Sequence, residues 1–175
     1  TIEAAYLYWT GNNDSYNTQY AAYPGIPTMK SYTGDRSNIG GQNGTAYRSV
    51  KIKHESDASY TDITGAEISG SGGGGERYVC FADVTNHVKG KMGGLFWVGN
   101  VRSSSSKNDG GATSGWVLIV ISRPPNCPPR IIRLWDGLGN INQNSSKPLS
   151  LDLSGMEPAS SNFKSYLGVA VLDGE

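Results

Sequence analysis

The chain has 175 residues, enough for one domain with a sizeable core or for two small ones. Lys+Arg and Asp+Glu both number 15, so the formal net charge is zero, which argues against a nucleic-acid binder or an electrostatic membrane binder. The longest apolar runs, Ala4–Trp9 and Trp116–Ile121, have six residues each, far short of the ~18 a membrane span needs, while 10% aromatic residues are too many for a disordered chain.

Taken in chain order, strand signals recur and helix signals are nearly absent. Strands are expected over Glu3–Thr10, Tyr47–His54, Tyr60–Ile68, Arg77–Val88, Leu95–Val101, Gly115–Arg123, Arg130–Asp136, Leu149–Leu153 and Tyr166–Leu172. Each is rich in Val, Ile, Tyr or Trp and is fenced by Gly, Pro, Asn or Ser. Val50-Lys51-Ile52-Lys53-His54 alternates, with one apolar face and one lysine face. The continuous run Trp116–Ile121 predicts a central strand covered on both sides, and Trp97, Trp116 and Trp135 are read as core. Nine strands without helices predict an all-β domain, a two-layer, jelly-roll-like β-sandwich over residues 1–175.

Three segments read as loops: Gly11–Gly44, Ser69–Gly75 and Ser103–Gly111. Gly contributes 24 residues, Ser 21 and Asn 13, whereas charged residues are only 17%, so the polar surface is mostly neutral. Gly/Ser tracts bury little apolar surface and belong outside the layers. A loop as long as residues 11–44 is often functional. The start at Thr1 without Met or a signal segment, and the end at Glu175 just after an apolar run, suggest ends cut from, or matured out of, a longer polypeptide.

Candidate chemistry is sparse. No GxSxG elbow precedes a helix, and no phosphate-cradling Gly-rich loop is found. His54 and His87 are read separately, as structural or solvent-exposed side chains. Asp83 and Asp136 each adjoin an apolar strand and could face each other as a carboxylate pair, but Asp136-Gly137 reads more simply as a turn and Asp83 as a partner of nearby backbone amides. Asp14, Asp35 and Asp109 lie in Asn/Asp-rich loops able to supply calcium with oxygen ligands, without EF-hand spacing. Tyr16, Tyr20, Tyr23 and Tyr32 sit among Ser, Gly and Asn, a recognition-surface composition, or they pack back on the layers. Cys80 and Cys127 either pair in an oxidising compartment or stand as one buried and one exposed thiol. Asn13, Asn43 and Asn144 head glycosylation sequons.

Four segments occur in a recognisable order: Ala5-Tyr6-Leu7-Tyr8-Trp9, Phe81-Ala82-Asp83-Val84-Thr85, Gly115-Trp116-Val117-Leu118-Ile119-Val120-Ile121, and Leu134-Trp135-Asp136-Gly137. This order resembles a domain of large secreted surface proteins of Bacteroidota, the gliding and adhesin-like proteins, and of related archaeal surface proteins. Its pattern reads roughly AYLYW, ADVT, AGWSLVVVY, then DG after an apolar strand. The resemblance spans most of the chain and implies a β-rich, extracellular, non-enzymatic module, with other subunits or surface glycans as partners. Ile121-Ser122-Arg123 departs from it, standing where a Tyr and an acidic residue are usual, and the 11–44 loop is longer than the pattern suggests. The expected role is adhesion or surface-fibre structure, with a terminal strand completing a neighbour. The competing expectation is a carbohydrate-binding module that uses the tyrosine loop, with or without calcium.

Overall fold

The computed structural model describes residues 1–12, 46–70, 77–91, 93–101, 114–128, 130–137, 152, 154–155 and 164–171. Seven strands are defined among them: β1 (Ile2–Asn12), β2 (Ser49–His54), β3 (Thr61–Thr64), β4 (Ala66–Gly70), β5 (Arg77–Asp83), β6 (Phe96–Gly99) and β7 (Ser114–Ser122). The described helical structure is a 3-10 turn, Ala46–Arg48, and the one-turn helix α1, Thr85–Val88. Among the described residues the architecture is all-β, as the strand signals predict.

The strands form two antiparallel sheets, one ordered β4-β5-β1-β7 and the other β3-β2-β6. β1 is paired on both edges, and Leu7, Tyr8 and Trp9 are buried on both of its faces, which is why this stretch is continuously apolar. Ala5, Leu7 and Trp9 lie on one face with Ala82, Cys80 and Leu118 opposite them across the ladders. From the second sheet, Val50 and Ile52 join the same core, at 1% and 0% exposure. The alternation read in Val50–His54 holds: Val50, Ile52 and His54 are buried and the two lysines are not. At ~25 cal/mol per Å² of apolar area, the fully buried Trp9 and Leu7 each stabilise the fold by roughly 2–3 kcal/mol or more.

Gly65 is the corner between the sheets. The expected strand Tyr60–Ile68 is in fact two, β3 in one sheet and β4 in the other. The Gly65 N–H donates to the Arg48 carbonyl at 2.8 Å, and a Cβ here would overlap the Trp9 ring and the Phe81 carbonyl. Glycine lets the chain cross directly over the largest buried side chain.

Other expectations are corrected. The segment Arg77–Val88 does not stay extended: β5 stops at Asp83 and α1 follows, because the Asp83 carboxylate accepts the Thr85 N–H at 2.9 Å and turns the chain. β7 ends its sheet among the described strands, so Trp116 and Val120 are 37% and 41% exposed. Trp97 and Trp135 are likewise half-exposed, and the tryptophan of the core is Trp9. Residues 130–136 and 166–171 join no ladder, and Leu167, Val169 and Val171 are exposed. β4 takes Ser69 and Gly70 from the expected Ser/Gly loop. The expected strand Leu149–Leu153 lies almost wholly outside the described residues.

Candidate functional site

Two groups of polar side chains take in the histidines and the carboxylates Asp83 and Asp136 that the sequence singles out. The first surrounds β1 and uses three of the four ordered segments. The Ala5 N–H donates to Thr85 Oγ1 at 2.9 Å, and the Val84 N–H donates to the Ala5 carbonyl at 2.9 Å. The turn after β5 therefore satisfies the backbone of β1 beside its irregularity near Ala4. Hydrogen bonding from Thr85, side chain and backbone, holds the Asp83 carboxyl below the usual carboxylate range. Tyr8 lies on the opposite face of β1 from Leu7, stacks on Phe81 with ring centroids 5.9 Å apart, and donates its hydroxyl to Asp136 Oδ2 at 2.9 Å. Burial first, then this hydrogen bond to a carboxylate, pushes the phenol well above its ordinary value. Asp83 and Asp136 are thus each engaged by a different motif residue.

The second group stands where β2 ends. His54 is 6% exposed, and its backbone N–H donates to Asp57 Oδ2 at 2.9 Å. Its imidazole accepts the Ser56 N–H at Nδ1, 3.2 Å away, with Ser56 Oγ at 2.7 Å from the same nitrogen. That acceptor role leaves the proton on Nε2, which donates to the Gly93 carbonyl at 3.0 Å. Gly94, at φ +85°, follows; a Cβ there would overlap His54 Nε2 and the Glu55 carboxylate. The Glu55 N–H donates to the Leu95 carbonyl at 3.0 Å.

Lys91 Nζ lies 2.9 Å from both Asp57 carboxylate oxygens and 3.4 Å from His87 Nε2. His87 Nε2 is also 3.4 Å from Asp57 Oδ2. An ammonium group only donates, so beside it the neutral His87 accepts at Nε2. Burial, then the Lys91 charge, lowers the His87 pKa against the opposing pull of Asp57. The hydrogen bond from Lys91, followed by the one from the His54 backbone, lowers that of Asp57.

This arrangement clamps rather than activates. Ser56 meets His54, but the other imidazole nitrogen faces a backbone carbonyl instead of the carboxylate that would orient a catalytic base. The Asp57 carboxylate faces Lys91. Among the described residues no three His, Cys, Asp or Glu side chains gather as a metal site.

The remaining sequence candidates fall apart spatially or lie elsewhere. Tyr16, Tyr20, Tyr23 and Tyr32, and the calcium candidates Asp14, Asp35 and Asp109, are outside the described residues. Cys80 and Cys127 are free thiols, not a disulfide. Cys80 is sealed beneath the sheet opposite Trp9, and burial pushes its thiol up to about 12. The clamp of His54, Asp57, His87 and Lys91 escaped sequence reading. Its signals were local: Asp57 three residues after His54, and Lys91 four after His87.

No family model, curated protein or solved structure matches the chain. No helix among the described residues is long and apolar enough to cross a membrane.

Proposed function

We propose that the chain is a non-enzymatic extracellular module of a cell-surface or secreted protein, serving adhesion or surface-fibre structure. The observation that carries this reading is the convergence of the four ordered segments on β1. Thr85 and Val84 dock on Ala5, Asp136 takes the Tyr8 hydroxyl, and β7 pairs along β1 from Ile2 to Gly11. The side chains that mark the resemblance spend their hydrogen bonds on one another, as a framework does.

In this reading the two sheets are the layers of a jelly-roll-like sandwich. Residues 130–136, tethered by Asp136, belong to its own layers, and residues 166–171 complete a neighbour. The exposed Leu167, Val169 and Val171, together with the terminal position of β7, favour strand addition between copies.

Immunogold electron microscopy of intact source cells, with antibodies raised against this chain, tests the proposal. Label on the cell surface or on filaments leaving it is expected. Label confined to the interior of sectioned cells overturns it.

A further inference from the structure

We propose that His87 is a proton-operated latch on the connection between α1 and β6: neutral, it supports Lys91 on Asp57; protonated, it takes Asp57 for itself and releases Lys91. The geometry sets the two roles of one nitrogen against each other, since Nε2 cannot accept from Lys91 and donate to Asp57 at once. One nitrogen, Nε2, stands 3.4 Å from Lys91 Nζ and 3.4 Å from Asp57 Oδ2. Without a proton it accepts from the ammonium. With one it becomes a donor, its natural partner is the carboxylate, and its positive charge repels Lys91.

The groups bearing on His87 are few. Asp57 and His54 come from the end of β2, and Lys91 comes from the connection itself. His87 is largely buried, with 14% side-chain exposure, so burial favours the neutral form at neutral pH and reserves the switch for acidification.

The latch has something to move. Lys91 fastens the connection to Asp57, and two residues on, the Gly93 carbonyl accepts from His54. Gly90, Gly93 and Gly94 have φ of 86°, 82° and 85°, a region glycine enters without strain, so the backbone on either side of Lys91 has other conformations open to it once a tether is released. Releasing Lys91 frees one end of a glycine-rich segment that leads to the 61%-exposed Leu95. The ligand of the latch is the proton, and its output is local opening beside β2.

The test is amide exchange by NMR on the full chain, from about pH 7.5 to about pH 5, with rates corrected for intrinsic exchange. The reporters are the Glu55 and Lys91 amides, bonded to the Leu95 and Val88 carbonyls. Protection at both should fall about tenfold for each unit by which closure depresses the His87 pKa. In His87→Gln, where the amide oxygen still accepts from Lys91 but cannot titrate, protection should stay flat. Unchanged protection in the wild type, or an equal fall in the variant, overturns the proposal. If the variant does not fold, the wild type decides alone. The Asp57 carboxyl carbon should shift at the same midpoint as the His87 imidazole, whereas a shift only in the carboxylate range contradicts the latch.

Discussion

At the scale of single residues, the fold depends on a few close approaches. Gly65→Ala should destabilise by on the order of 1–3 kcal/mol, because the added methyl overlaps the Trp9 ring and a backbone carbonyl that cannot swing away. Chemical denaturation would read this as a lower midpoint at unchanged slope. Tyr8→Phe should cost about 1 kcal/mol through loss of the bond to Asp136. Combining it with Asp136→Ala should cost less than the sum of the two single changes, a coupling that a double-mutant cycle measures. Cys80→Ser would place a hydroxyl among Trp9 and its apolar neighbours and should lower the melting temperature. A modification assay on the folded protein should label Cys127 and spare Cys80, which is fully buried with its thiol pKa pushed up to about 12.

At the scale of elements, the residue pattern disclosed some features and hid others for physical reasons. Val50–His54 was legible because its two faces see different surroundings, and that difference is written as alternation. The corner at Gly65 was not, because a strand changing sheets keeps strand composition on both sides of one glycine. Trp116–Ile121 was read as central because continuous apolarity suits burial on both faces. It ends its sheet among the described strands, and continuous apolarity does not distinguish a terminal strand from a central one. The His54–Asp57–His87–Lys91 clamp needed the third dimension, since β2, the turn after it and α1 meet only once the sheets are paired.

The clamp also gives the protein a pH dependence of defined sign. His87 has a lowered pKa in the fold, so the unfolded chain binds more protons as pH drops below the ordinary histidine value. Stability should therefore fall across the window just below ~6.5. Asp57, also lowered, contributes stability above its unfolded value that is lost on further acidification, below ~4. Unfolding free energies measured between these limits should slope upward with pH, and His87→Gln should flatten the upper window alone.

At the scale of the whole molecule, the proposed function makes this a module whose conspicuous side chains hold it together. Residues 166–171 bear on how it assembles. In one chain Val169 and Val171 are 72% and 75% exposed, so Val169→Lys and Val171→Lys should leave the monomer's melting temperature unchanged. Sedimentation should show growing assemblies for the wild type at rising concentration and their loss in both variants. A lower melting temperature for the monomeric variants would instead place the segment within its own fold.

The proposed function makes Asp83 and Asp136 framework residues of a non-enzymatic module. Its most direct measurement is turnover on a broad polysaccharide panel, run beside thermal unfolding, for the wild type, Asp83→Ala and Asp136→Ala. The account predicts no turnover in any of them and a lowered melting temperature in both variants. Wild-type turnover abolished by either substitution, with the melting temperature unmoved, would contradict it.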